Sequence, residues 1–106
     1  MRIISKKTVE DFIQKHPETE NPLKAWYQKV SQAHWKTPQE VKQEYSKKVS
    51  ILNNNRIVFD IKDKYRLIVA TDFKRNILFI KFIGTHDEYD KIEAETYDAY
   101  RHRKTD

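Results

Sequence analysis

Apolar residues repeat first at helical spacing and then by alternation, and the change of period predicts a two-part fold. Val9, Phe12 and Ile13 fall on one face of a helix predicted from about Lys6 to Lys15, with Ser5 as its cap and Pro17 as its stop. Leu23, Trp26, Tyr27 and Val30 stand at i, i+3, i+4 and i+7, so a second helix is predicted to about His34, with Asn21 as N-cap and Pro22 as first helical residue. Thr37-Pro38-Gln39-Glu40 reads as a capping box opening a short third helix with Val41 and Tyr45 on one side. Residues 2–4 can add a short strand ahead of all three.

From Arg56 the period becomes two. Ile57, Phe59 and Ile61 point one way, while Arg56, Val58 and Asp60 point the other. Lys62-Asp63-Lys64 is a turn, after which Tyr65, Leu67 and Val69 alternate with Arg66, Ile68 and Ala70. Lys74-Arg75-Asn76 turns the chain again into a strand over Ile77 to Ile83. On that strand Leu78, Ile80 and Phe82 make an apolar face expected to meet the helices, and Lys81 emerges on the opposite face with Ile77, Phe79 and Ile83. Short connections imply an antiparallel meander. The order β-α-α-(α)-β-β-β-α predicts an α+β domain, with two to three N-terminal helices on one face of an antiparallel sheet. Gly84, the single glycine, stands where the last strand gives way to a helix.

Composition narrows the class. At 106 residues one domain is expected, here drawn at 1–95 with a tail at 96–106 that either extends the last helix or stays mobile. No run is long and apolar enough for a membrane span, the N-terminus is charged too early for a signal peptide, and cysteine is absent. A cytoplasmic protein with no membrane association is expected. The net charge of +5 is uneven: residues 86–100 hold six acids and one base, and the rest of the chain is basic. A basic body favours a polyanionic partner, since each neutralised phosphate releases counterions.

Candidate chemistry gathers after the last strand. Thr85-His86-Asp87-Glu88 is a capping box, so His86 falls in the first helical turn with Tyr89 on the same face. A helix start favours anions, neutral imidazole and ionised phenol, which suits His86 and Tyr89 to exchanging protons beside a phosphate. The plainer alternative has Tyr89 filling the core edge and His86 merely solvated. Arg66, Lys81 and Arg56 put cations on the sheet face away from the helices. Taken singly, each can serve only to keep that face wet. Together with a His/Tyr pair they supply what metal-independent RNA cleavage needs: a proton acceptor, a proton donor and charge at phosphorus. The four histidines are scattered with no close ligand pair, and there is no glycine-rich phosphate loop, so no metal or cofactor is expected.

Five segments occur together in order: Leu23-Lys24-Ala25-Trp26-Tyr27, Ala33-His34-Trp35-Lys36-Thr37-Pro38, Asn54 to Ile61, Lys64-Tyr65-Arg66-Leu67, and Gly84 to Ile92. In this register, over residues 1 to about 95, the chain resembles the HigB toxin family, a branch of the RelE-like toxins. The resemblance implies a RelE-like fold and an mRNA endoribonuclease, often acting on translating ribosomes. It also implies neutralisation by a HigA-type helix-turn-helix antitoxin, with operator DNA bound only through the toxin–antitoxin complex. Arg66, Lys81 and Tyr89 match the basic sheet residues and terminal Tyr or His of such toxins, and His86 fits the same role. Arg56, Lys64 and Lys91 are the expected RNA contacts. A non-catalytic RNA- or DNA-binding module with the same basic face is the alternative, and a pure interaction domain recruiting a basic partner through residues 86–100 is a further one.

Overall fold

The helical half forms much as its spacing predicts. In the computed structural model, which describes residues 1–98, β1 (Arg2–Ile4) leads into α1 (Lys6–Lys15), α2 (Glu20–Ser31) and α3 (Pro38–Tyr45). Ser5 stands at the N-cap of α1, but its hydroxyl bonds the Thr8 hydroxyl at 2.8 Å rather than a backbone N–H. α2 starts earlier than Asn21-Pro22 predicts. Pro17–Thr19 wind into a 3-10 turn in which the Thr19 hydroxyl donates to His16 O at 2.6 Å, and this turn feeds the helix at Glu20. Pro22 then sits in the first turn, where a missing N–H costs no intrahelical bond. α2 also ends at Ser31, short of His34. At α3, Thr37 Oγ1 accepts from Glu40 N, while the Glu40 carboxylate accepts from Lys36 N at 2.8 Å, so only half of the predicted box forms.

The strands are β2 (Val49–Ile51), β3 (Arg56–Ile61), β4 (Tyr65–Asp72) and β5 (Ile77–Thr85), followed by α4 (His86–Asp90). They lie in the order β1-β5-β4-β3-β2. The β3–β4–β5 meander is antiparallel as predicted, but β1 pairs with β5 in parallel, so the α+β domain carries a mixed sheet. β2 was not predicted. Its three residues are too few to show alternation, and it is fixed by the hairpin that follows, where Asn54 and Asn55 take left-handed φ of 63° and 58°. Asparagine tolerates that region better than other non-glycine residues.

All three long helices cover one sheet face. Ile57, Phe59, Leu67, Val69, Leu78 and Ile80 meet Leu23, Trp26, Val30 and Val41 there, with Trp26 edge-on to Phe59 at 5.5 Å. The other face follows a different rule because β5 carries a bulge. Ile68 pairs with Phe82 and Val69 with Ile80, which leaves Lys81 as the extra residue. Simple alternation puts Leu78, Ile80 and Phe82 together on the helix side. The extra residue shifts the phase instead, so Phe82 joins the open face with Val58 and Ile68, and Ile83 takes its place against the helices.

After α4 the chain does not continue as a helix. Residues 91–98 cross the open face, and Ile92, Ala94 and Tyr97 pack on Val58, Ile68 and Phe82. Tyr97 meets Phe82 edge-on at 5.6 Å. A domain boundary at residue 95 therefore falls within this packed segment, and the remainder of the 96–106 tail lies outside the described residues. No helix among the described residues is long and apolar enough to cross a membrane.

Candidate active site on the open sheet face

Register sorts the open face into three cross-strand rows: Asp60–Arg66–Gly84, Val58–Ile68–Phe82 and Arg56–Ala70–Phe79. The middle row is apolar and lies under residues 92–97. The two outer rows hold the polar chemistry, separated by four residues of β4 or roughly 13 Å.

In the first row Arg66 forms an ion pair with Asp60, and its guanidinium lies 5.4 Å from the centre of the Tyr89 ring. Both partners of the pair are about a quarter exposed, so the charge is held in place yet reachable. Arg66 Nε is buried with no partner among the described residues. Gly84 keeps this end of β5 bare. A Cβ there would meet the Phe82 ring at 2.5 Å and a Glu88 carboxylate oxygen at 2.6 Å. That carboxylate is the far half of the predicted capping box: Thr85 N donates to Glu88 Oε1 at 2.9 Å and Glu88 N donates to Thr85 Oγ1 at 3.1 Å. The box fixes α4, which carries Tyr89 against Phe82 with ring centres 6.5 Å apart. No hydrogen bond among the described residues engages the Tyr89 hydroxyl. His86 Nε2, on the same helix, is buried and likewise has no partner among them.

α4 spans five residues, a single turn. Too few peptide dipoles align in it to supply the field that a longer helix would place on His86. What positions His86 and Tyr89 is the capping box and the contact with Phe82. Lys64, on the β3–β4 turn, and Lys91, at the C-cap of α4, are both exposed and lie at the rim of this end.

The third row behaves differently. Arg56 is only 7% exposed, and its Nη1 donates to Tyr97 O at 2.6 Å and to Ala94 O at 3.3 Å. Burial pulls its pKa below the ordinary value, and the nearby Asp98 carboxylate opposes that shift. Arg56 thus ties the C-terminal segment to the sheet. Lys81 Nζ meets Asp98 at 3.0 Å and lies 5.6 Å from the centre of the Phe79 ring. Of the seven residues singled out in the sequence, Arg66, His86 and Tyr89 cluster at one end with Lys64 and Lys91 at its rim. Lys81 and Arg56 belong to the other end.

Sequence reasoning missed Asp60 and Asp98. The first was legible, since alternation already placed Asp60 on the face of Arg66. Nothing in the sequence signalled the second, because its pairing depends on where a segment without regular structure crosses the sheet. Among the described residues, no three His, Asp or Glu side chains converge as a metal site.

Comparison with known proteins gives a consistent picture. Residues 19–92 match the HigB_toxin family, described as the RelE-like toxic component of a toxin–antitoxin system. The chain is also 29% identical over 94 residues to the mRNA interferase HigB of Escherichia coli O6:H1 (strain CFT073), covering 87% of this chain and 91% of that protein.

Proposed function

The chain belongs to the HigB toxin family, the RelE-like toxic component of a toxin–antitoxin system, and we propose that it acts as an endoribonuclease that cuts mRNA. The observation that carries this reading is the first row. Arg66 is held between Asp60 and the Tyr89 ring, beside a phenol with no hydrogen-bond partner among the described residues. The mRNA interferase of similar sequence supports the choice of substrate.

In the proposed reaction the ribose 2′-oxygen attacks the neighbouring phosphorus and gives up its proton to a side chain. The bond from phosphorus to the 5′-oxygen breaks, and that oxygen receives a proton. The products are a 2′,3′-cyclic phosphate and a 5′-hydroxyl. Arg66 neutralises the charge that builds on the pentacoordinate phosphorus, and His86 and Tyr89 carry the two protons. Lys64 and Lys91 hold flanking phosphates from the rim. Lys81 and Arg56 engage RNA only at the far row, where Asp98 and the chain's own carbonyls now occupy them. The natural setting is the cytoplasm, on mRNA carried by the ribosome, with a HigA-type helix-turn-helix antitoxin as the neutralising partner and operator DNA reached only through that complex.

The test is induction in a bacterial host with transcript 5′-hydroxyl ends mapped. Wild type is expected to arrest growth and create new ends within coding regions, and the double variant Tyr89→Phe/His86→Ala is expected to create few or none. Identical behaviour of the two proteins removes His86 and Tyr89 from the chemistry. RNA bound but left intact by wild type would point to a binding module instead.

A further inference from the structure

The third row is hollow. Ala70 stands between Arg56 on β3 and Phe79 on β5, so the floor between two large side chains is a single methyl group. Neighbouring strands lie about 4.8 Å apart, so the gap across Ala70 spans roughly 10 Å. A cleft of about 660 Å³ occupies it, with Asn55, Lys74 and Lys81 among its walls. The C-terminal segment covers the apolar middle row, while Phe79, lining this cleft, stays partly exposed among the described residues. An aromatic ring left beside open cleft space on a sheet, with a lysine ammonium 5.6 Å from its centre, is a stacking platform of the kind that takes nucleic-acid bases.

The remaining groups fit the same occupant. Asn55 is exposed, and its side-chain amide makes no hydrogen bond among the described residues, so one donor pair and one acceptor are free. Its backbone is fixed, because Asn55 O accepts from Thr71 N at 2.8 Å and from the Thr71 hydroxyl at 3.0 Å. Lys74 is exposed and makes no ion pair among the described residues either. Of the acids nearby, Asp72 pairs with Arg75 at 3.6 Å and Asp98 with Lys81 at 3.0 Å, while the Glu95 carboxylate accepts from Asn53 N at 3.3 Å.

We propose that this cleft is a base-binding subsite of the RNA substrate. The base lies over Ala70 and stacks on Phe79, the Asn55 amide reads its edge, and Lys74 holds a phosphate. The subsite rests on the endoribonuclease reading above, and its distance from Arg66 makes the seated base a near neighbour of the cut rather than the base at the cut. It gives the protein a sequence preference at one flanking position.

Two readouts test the subsite. The first is affinity for a fully 2′-O-methylated oligoribonucleotide, which cannot be cleaved. The second is the base composition around 5′-hydroxyl ends mapped after induction. Phe79→Ala is expected to weaken oligonucleotide binding about 5- to 100-fold, Phe79→Trp to restore it, and Asn55→Ala to flatten the preference at one position beside the cut. Circular dichroism of each variant checks the fold, and the Trp variant separates lost stacking from lost structure. Unchanged affinity and an unchanged cut pattern in a folded Phe79→Ala protein overturn the subsite while leaving the nuclease intact. Intact RNA with wild type overturns the nuclease, and the oligonucleotide measurement still decides whether Phe79 binds a base.

Discussion

Arg66 and Leu67 are neighbours in the chain and opposites in every physical respect. Leu67 points into the helix-covered face, is fully buried and belongs to the apolar core there. Arg66 points to the open face, a quarter exposed, held by one carboxylate and one aromatic ring. The helix side is continuous and largely apolar. The open side is broken into rows by a bulge, crossed by a segment without regular structure, and left hollow at one end. One set of strands therefore supplies core packing on one face and the candidate site's polar groups on the other.

That division is sharpest when the two neighbours are cut back in parallel. Leu67→Ala is expected to cost about 3–5 kcal/mol of unfolding free energy, measured by urea denaturation, because the rigid sheet and helices cannot close the cavity. Arg66→Ala is expected to leave a folded protein whose RNA cleavage falls at least about 10²-fold, the usual scale for removing a group that stabilises transition-state charge. Should Arg66→Ala unfold the protein and Leu67→Ala spare it, the assignment of the two faces is wrong.

Gly84→Ala probes the place where the faces meet. A methyl group there has no room against the Phe82 ring and the Glu88 carboxylate. Over-packing of this kind costs about 1–3 kcal/mol. Either neighbour that yields disturbs the site: the ring carries the Tyr89 contact, and the carboxylate closes the capping box. Loss of cleavage beyond the loss of folded protein is the expected signature. A Gly84→Ala protein with wild-type stability and activity would mean that α4 is not positioned by this packing.

Much of the helix side was legible in the sequence, because burial on one face writes a simple period. Leu23-Trp26-Val30 and Ile57-Phe59-Ile61 are core residues as their spacing predicts. The open face was legible only as far as β4, where Arg66, Ile68 and Ala70 alternate without interruption. On β5 one extra residue reversed the phase, and a bulge leaves no mark when both faces of the strand are largely apolar. Phe82 and Ile83 are equally hydrophobic, so exchanging them changes nothing that periodicity can read. The candidate site shows the same limit. The placement of His86 and Tyr89 on one short helix followed from a local capping signal, which the sequence spells out. The separation of Lys81 from Arg66 depends on the bulge and on Asp98, which come together only in three dimensions.

Tyr45 offers the smallest effect and the most selective one, since it acts on the helix side alone. Its ring packs on Phe59 at 5.0 Å, and its hydroxyl is buried with no partner among the described residues. Burial, with a lesser contribution from the Glu44 charge, pushes its pKa up from 10 to about 12. The neutral phenol is therefore favoured in the folded chain more than in the unfolded one. The consequent stability is present below pH 10 and is lost as pH rises from 10 toward 12, where the unfolded chain ionises first. The loss should be on the order of 1–2 kcal/mol once partial exposure is allowed for. Tyr45→Phe removes both the titration and a hydroxyl that satisfies nothing. It is expected to match or exceed wild-type stability at neutral pH and to show a shallower fall in urea midpoint between pH 10 and 12. Cleavage at neutral pH should be unchanged, because the residue lies across the sheet from Arg66. A Tyr45→Phe protein that keeps the full alkaline loss would move that titration to another group, and one that loses cleavage would show that the two faces are coupled.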